Sequence, residues 1–272
     1  MMKKSIFQTN EAIIYAVAVL LMTWVLTIVL FISPSIGLQY FSVVMFIPAL
    51  VALIFQKIGH QDFNGLNTKM TLKSLLFGIL YPLVFVLLCA LLAQLTGIGK
   101  INPDKILNIR DLIKIVITIA INIFTVLGEE YGWRGFLLPL LTKQYGKTKA
   151  TIVVGIIWAL YHVPVVYFLT QATGLSHPLF LCAIQACVVF MISFPFSYCY
   201  YLSGSLIPVL FFHSIWNVVN TTVLGDIYSN NQGLMEGNLL VINGEGVLGL
   251  LLSAIVIFWF IKKFKKIEPM VS

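Results

Sequence analysis

Long apolar runs separated by short polar turns fill most of this 272-residue chain. Each run is about 20 residues or longer, which is the length that an α-helix needs to cross a bilayer. The runs predict about eight spans, at 11–32, 37–56, 74–95, 112–140, 150–170, 178–201, 204–224 and 246–264. Clusters of Gly, Pro, Ser and Asn mark the connections between them. The predicted fold class is therefore all-α, a polytopic bundle of transmembrane helices.

Composition supports a membrane protein. Hydrophobic residues make up 60% of the chain and charged residues only 10%, whereas soluble domains are about 25% charged. The N-terminal apolar run is too long for a signal peptide and no small-x-small cleavage site ends it, so we expect a retained first span. The four cysteines, Cys89, Cys182, Cys187 and Cys199, lie in apolar stretches. We expect them to be small buried hydrophobes, not disulfides or metal ligands.

The distribution of charge predicts the orientation. Twelve lysines fall on alternate connections and at the two ends, at positions 3, 4, 57, 69, 73, 143, 147, 149, 262, 263, 265 and 266. The remaining connections carry few cations, and the last of them, the loop after the seventh span, is acidic. The positive-inside rule then predicts that both termini are cytoplasmic. The net charge of +7 is expected to serve topology and contact with the lipid bilayer, and no nucleic acid partner is expected.

Ionisable side chains inside a span are costly, so each is a candidate functional residue. The sequence VLGEEYGWRGFLLP places Glu129, Glu130 and Arg134 in the fourth span. Glu130 and Arg134 are four residues apart and can form an ion pair on one helix face. Glu129 points about 100° away around the helix, so it is not used by this ion pair and is a candidate for a different function. Gly128 and Gly132 form a GxxxG spacing, which predicts a close helix contact there.

Two further clusters lie in the fifth and seventh spans. In WALYH, Trp158 and His162 share a helix face, and Pro164 follows; in HSIWN, His213 and Asn217 share a face. Counted at 1.5 Å per residue, Glu129 lies about 22 Å from the outer end of its span, and the two histidines lie about 18 Å and 15 Å from the opposite side. All three therefore fall in the same half of the membrane.

A carboxylate and two imidazoles at one level can activate water or bind zinc. Each cluster also has a structural reading, as an ion pair, as packed histidines or as interhelical hydrogen bonds. His60 and His177 lie in predicted loops and receive no role. Two other functions stay open: a transporter that uses the buried charges, with Pro164 and Pro195 interrupting its spans, and a non-catalytic immunity or scaffold protein.

The three motifs resemble those of the CPBP family (CAAX protease and bacteriocin-processing, also called Abi) of intramembrane proteases. EEYGWR is similar to its EExxxR motif, WALYH to its FxxxH motif and HSIWN to its HxxxN motif. Trp158 stands where phenylalanine is usual, which puts the shape of the pocket in doubt. The resemblance predicts N-terminal spans at 1–110, the first two outside the family core, a protease core at 111–224, and a loop, last span and basic tail at 225–272.

The resemblance implies an intramembrane endopeptidase that cleaves a membrane-associated protein or peptide precursor. The family includes endoproteases that remove the last three residues of prenylated proteins, and members linked to bacteriocin immunity and peptide maturation. The resemblance implies that Glu129 activates water, His162 orients the water, and neutral His213 with Asn217 stabilises the oxyanion. Glu130, Arg134 and Trp158 would support them. Because no HExxH motif is present, we expect no metal; if zinc binds, its ligands would be Glu129, His162 and His213. We also expect a cell-membrane location and a cavity open to the cytoplasm.

Overall fold

The computed structural model describes residues 2–59 and 67–267, most of which are helical. The helices are α1 Met2–Phe31, α2 Pro34–Tyr40, α3 Ile47–Gly59, α4 Leu72–Thr96, α5 Ile109–Glu130, α6 Leu138–Thr173, α7 Pro178–Tyr201, α8 Ile207–Leu224, α9 Leu239–Ile242 and α10 Val247–Phe264. A 3₁₀ segment, Phe41–Phe46, joins α2 to α3, and a π-helical segment, Tyr131–Leu137, joins α5 to α6. The all-α prediction is confirmed.

Within the described ranges, seven helical segments are long and apolar enough to cross a membrane. One of them, Ile109–Thr173, has 65 residues and contains both the fourth and the fifth predicted spans. The predicted turn between those spans is helical apart from Gly146, whose φ of 76° and ψ of 166° break the path of α6. The number of crossings and the side of each terminus stay predictions.

Other details differ from the sequence predictions. The second predicted span is divided into α2, the 3₁₀ segment and α3. Strands β1 (Gly99–Ile101) and β2 (Met235–Gly237) form a two-stranded antiparallel sheet that joins the connection after α4 to the long loop after α8. Sequence periodicity does not reveal strands of three residues each. Pro164 and Pro195 lie inside continuous helices rather than interrupting them.

Three of the four cysteines are buried as predicted, but Cys187 is exposed on the outer surface of α7. Among the histidines without an assigned role, His177 precedes α7 and His60 lies outside the described residues. Neither alters the interpretation of the polar clusters.

The central part of the fold is built around the end of α5. The first half of α5 is largely exposed on the outer surface, whereas nearly every residue from Val126 to Leu141 is buried. Here the helix contacts α8 on one side and α3 on the other, while α6 packs against α7 and α1. The two adjacent glutamates therefore lie in the protein interior and do not face lipid.

The GxxxG spacing marks a close contact, as predicted. A Cβ atom at Gly128 would lie 2.5 Å from the backbone oxygen of Met45, and one at Gly132 would collide with Pro48 and with the Tyr15 hydroxyl. Tyr15 also donates a hydrogen bond of 3.0 Å to the backbone oxygen of Pro48. Glycine is needed at both positions because the 3₁₀ segment and α3 pass directly over this part of the chain.

Candidate active site

The helix that carries the adjacent glutamates has a well-defined start and an irregular end. The Asn108 side chain accepts hydrogen bonds from the backbone N–H groups of Arg110 and Asp111, which fixes the first turn of α5. The helix ends at Glu130, where the π-helical segment begins. Segments of this type are rare and are frequently found at functional sites. Here the segment carries Arg134 and follows both carboxylates.

Glu130 binds two cationic or potentially cationic side chains. Arg134 Nη1 lies 2.9 Å from Glu130 Oε1 and 3.1 Å from Oε2, so the predicted ion pair is present. His213 Nδ1, on α8, lies 2.8 Å from the same Oε1. Glu130 and Arg134 are completely buried. A carboxylate held in this way joins α5 to α8 and orients the His213 ring.

The guanidinium group of Arg134 is covered by two aromatic rings. Its guanidinium carbon lies 4.2 Å from the centre of the Trp158 ring and 4.7 Å from the centre of the Phe196 ring. Contacts of this kind stabilise a desolvated guanidinium. The ion pair therefore lies behind a wall formed by Trp158 and Phe196.

Glu129 faces a different environment. Its Oε2 accepts a hydrogen bond of 2.8 Å from the indole Nε1 of Trp158. The backbone oxygen of Trp158 in turn lies 2.8 Å from His162 Nδ1. Trp158 therefore holds the Glu129 carboxylate with its side chain and His162 with its backbone. Phenylalanine, which has no N–H, could not make the first of these contacts.

These contacts determine which nitrogen of each histidine carries a proton. A backbone oxygen and a carboxylate both accept hydrogen bonds, so Nδ1 of His162 and Nδ1 of His213 are the donors. In a neutral ring, Nε2 is then an acceptor. The expectation that neutral His213 donates a hydrogen bond to an oxyanion does not fit this tautomer. His213 could donate from Nε2 only as the imidazolium ion.

One cavity of about 270 Å³ brings the predicted residues together. Glu129, His162, His213, Asn217 and Trp158 all line it, whereas Glu130 and Arg134 do not. Glu129 and His213 are only 2% and 5% exposed. The two adjacent carboxylates are thus separated, with Glu129 at the cavity and Glu130 behind its wall.

Two polar residues of α5 line the cavity although the sequence patterns did not predict them as site residues. Asn122 and Thr125 lie seven and four positions before Glu129, on the same helix face, and both line the cavity. The Asn122 side-chain oxygen is 3.4 Å from Asn217 Nδ2. Their spacing of seven and four residues from Glu129 could have indicated that they share its helix face. Asn217, Asn122 and Thr221 also border a shallow groove of about 680 Å³ between α5 and α8.

Part of the cavity wall is formed by residues that are distant in sequence. Gln185 on α7, Tyr228 in the loop 225–246 and Glu245 at the end of that loop meet there. Gln185 was recognisable as a polar residue in an apolar span. The contribution of the loop was not, because no short-range pattern specifies how a long connection folds back over helices.

Part of the cavity lining belongs to the loop 225–246. Asp226 and Tyr228 of this loop and Ser42 of the 3₁₀ segment are partly exposed, as are His162 and Asn217. The charge pattern predicts that this loop is extracytoplasmic. The side on which the cavity opens stays a prediction.

Zinc would require several close ligands. Within the described ranges, no group of three or more His, Cys, Asp and Glu residues is arranged to hold a metal ion. The histidine tautomers are those of typical zinc ligands, and Trp158 occupies one oxygen of Glu129. Whether a metal binds stays a prediction, and the proposed mechanism uses none.

Comparison with known families agrees with the motifs. Residues 111–219 match the family model described as type II CAAX prenyl endopeptidase Rce1-like. The resemblance to the CPBP family is confirmed. The matched range contains all three CPBP motifs, from EEYGWR through WALYH to HSIWN. It therefore spans α5, α6, α7 and most of α8, the helices that surround the cavity.

A similar protein of known name agrees with this family match. Over 39 residues the chain is 44% identical to the CAAX prenyl protease 2 of Methanococcus maripaludis. This alignment covers 14% of the chain and 14% of that protein. The likeness to that protein is therefore established for a short segment. The activity of the whole chain is a proposal that rests on the geometry of its own residues.

Proposed function

We propose that the protein is an intramembrane endopeptidase that hydrolyses a peptide bond of a membrane-associated protein or peptide precursor. The observation that carries this proposal is the single cavity lined by Glu129, His162, His213 and Asn217. These residues come from α5, α6 and α8. The family match adds support because it covers the same three helices. Buried polar groups that converge on one cavity are typical of an active site.

Glu129 acts as the general base. Its carboxylate takes a proton from a water molecule, and the resulting hydroxide attacks the carbonyl carbon of the scissile peptide bond. The same proton then passes to the departing amine as the carbon–nitrogen bond breaks. Trp158 holds one oxygen of Glu129, which fixes the direction of the other. His162, with Nε2 as an acceptor, orients the water.

The negative oxygen of the tetrahedral intermediate needs donors. Asn217 supplies an amide N–H after exchanging its long contact with Asn122 for the substrate. His213 supplies a second donor from Nε2 when its ring is protonated. In that state, Nδ1 donates to Glu130 and the ring forms an ion pair with it. Glu130 therefore supports the chemistry through His213, and Arg134 holds Glu130 in place.

The cavity also supports a proposal about the side of the membrane. The charge pattern predicts that the lysine-rich connections and ends are cytoplasmic. It also predicts that the loop 225–246, which contributes the partly exposed cavity residues Asp226 and Tyr228, is extracytoplasmic. We therefore place the cavity mouth on the extracytoplasmic side, in place of the expected cytoplasmic opening. The groove shared through Asn122, Asn217 and Thr221 is also lined by Asp104, Lys105, Asp111 and Lys114 around the start of α5, so it would offer the substrate a path from the membrane surface.

A comparison of membrane peptides tests the activity directly. Cells that contain the wild-type protein should accumulate cleaved products that are missing from cells with Glu129→Gln. Glu236→Gln is the matched control, because Glu236 lies in β2, is partly exposed and forms a surface pair with Lys100. Identical peptide profiles for wild type and Glu129→Gln would contradict the proposal.

A further inference from the structure

The cavity contains a second buried carboxylate that the proposed mechanism does not use. Glu245 is 9% exposed and lines the same cavity as Glu129. Its backbone N–H donates to the Asn243 side-chain oxygen over 2.9 Å, and Asn220 of α8 binds both Asn243 and the backbone N–H of Gly244. These bonds fix the loop on α8, so the position of Glu245 is set by the helix that carries His213.

Three hydrogen-bond donors converge on the Glu245 side chain. Trp216 Nε1 lies 3.2 Å from Oε1, while the Tyr228 hydroxyl and Gln185 Nε2 lie 3.0 Å and 3.3 Å from Oε2. The indole and amide nitrogens can only donate. Burial and the neighbouring carboxylate raise the pKa of Tyr228 well above its usual value, so its hydroxyl keeps its proton and donates too. Three donors around one carboxyl group are an arrangement that suits a carboxylate.

The negative charge of Glu245 has no cationic partner among the described residues. No salt bridge reaches it, and neither lysine nor arginine appears among the residues that line the cavity. Among the described residues, the lysine and arginine side chains that form salt bridges pair with Asp111, Glu130 and Glu236 instead. A buried charge without a counter-charge is costly unless a ligand supplies one.

The rise of α8 gives a length scale for the cavity. Asn220, which anchors the Glu245 loop, follows His213 by seven residues along α8, or about 10 Å at 1.5 Å per residue. An extended peptide covers that distance in about three residues. A peptide whose scissile bond lies near His213 would therefore have a side chain two or three positions away near Asn220 and the Glu245 loop.

We propose that Glu245 is a specificity-determining residue that binds a cationic nitrogen of the substrate, two or three residues from the cleaved bond. This inference rests on the proposed endopeptidase function. The cation is a lysine or arginine side chain, or a free peptide N-terminus, which share the same charge and donor chemistry. Trp216, Tyr228 and Gln185 hold the carboxylate in position to receive it.

Cleavage of a defined peptide library tests the specificity. Purified protein in lipid nanodiscs is incubated with peptides that carry lysine, arginine, norleucine or glutamate at each position near the centre, with free or acetylated N-termini. We expect kcat/KM for the best lysine or arginine peptide to exceed that of its norleucine match about tenfold, which is the usual size of a charge-assisted hydrogen bond. Loss of the preference on acetylation alone would identify the N-terminus as the cation.

The variant Glu245→Gln should remove the preference for the cation, whereas Glu236→Gln should leave that preference unchanged. Equal preferences in wild type and Glu245→Gln would overturn the inference while leaving the endopeptidase proposal intact. A wild-type protein that cleaves nothing would overturn both.

A measurement of peptide binding distinguishes a lost preference from misfolding of the variant. In the Glu129→Gln background, a fluorescent lysine peptide should bind about tenfold more tightly than its norleucine match, and Glu245→Gln should abolish that difference. Equal binding of the two peptides to Glu129→Gln would overturn the inference without reference to hydrolysis.

Discussion

The indole N–H of Trp158 donates a 2.8 Å hydrogen bond to the carboxylate of Glu129. This contact joins the first and second motifs at the wall of the cavity. The same ring lies against Arg134 on its face and contacts both histidine rings edge-on. Trp158 therefore positions the base and separates it from the ion pair behind the wall.

Removing this one N–H should slow hydrolysis without unfolding the protein. In Trp158→Phe the aromatic wall is kept, but Glu129 loses a hydrogen bond to a charged group, worth about 1.5–3 kcal/mol. We expect kcat to fall about ten- to hundredfold, with KM nearly unchanged, in a steady-state assay. The matched control is Trp133→Phe, since Nε1 of buried Trp133 has no hydrogen-bond partner in the described structure. A wild-type kcat for Trp158→Phe would argue against the positioning role.

Breaking the buried ion pair should instead destabilise the fold. Arg134→Gln leaves the Glu130 charge without its guanidinium partner in a fully buried position, and such a change costs about 3–5 kcal/mol. Thermal unfolding in detergent should show a clearly lowered Tm. Arg110→Gln, at an exposed position near the start of α5, should leave the Tm unchanged. A Tm of Arg134→Gln equal to that of wild type would contradict the structural role.

Treatment with a chelator tests whether hydrolysis requires zinc. Because the described residues do not offer three close metal ligands, the rate of hydrolysis should be unchanged after prolonged treatment with a zinc chelator. Metal analysis of the same sample should find less than one zinc per protein. Loss of activity that added zinc restores would require a metal mechanism in place of the one proposed.

The side of the cavity mouth can be tested by cysteine labelling. Ser229 is exposed in the loop over the cavity and Tyr145 is exposed near the lysine-rich connection, so each is changed to cysteine in a Cys187→Ser background. A membrane-impermeant maleimide added to intact cells should label Ser229→Cys, and should label Tyr145→Cys only after permeabilisation. The reverse pattern would place the cavity mouth in the cytoplasm.

Much of the site could be predicted from local spacing. Positions four residues apart on a helix are neighbours, so the Glu130–Arg134 pair and the shared faces of Trp158 with His162 and of His213 with Asn217 followed directly. The close contact at Gly128 and Gly132 was also readable, because small residues at this spacing favour it.

Contacts between distant segments could not be predicted in this way. The bond between Glu130 and His213 joins residues 83 positions apart, and it changes the tautomer that His213 presents to the substrate. The cavity wall at Glu245 depends on how the loop 225–246 folds onto α8. The π-helical segment and the break at Gly146 are small backbone changes within long apolar runs, where hydrophobic patterning is nearly uniform.

The central claim is that the adjacent glutamates have different roles, and one comparison tests it most directly. Hydrolysis rate and Tm are measured together for Glu129→Gln and Glu130→Gln, with Glu236→Gln as the control. We predict that Glu129→Gln loses activity by at least about a thousandfold and keeps the wild-type Tm, whereas Glu130→Gln lowers the Tm by several degrees. Full activity in Glu129→Gln, or the same pattern in both variants, would contradict the account.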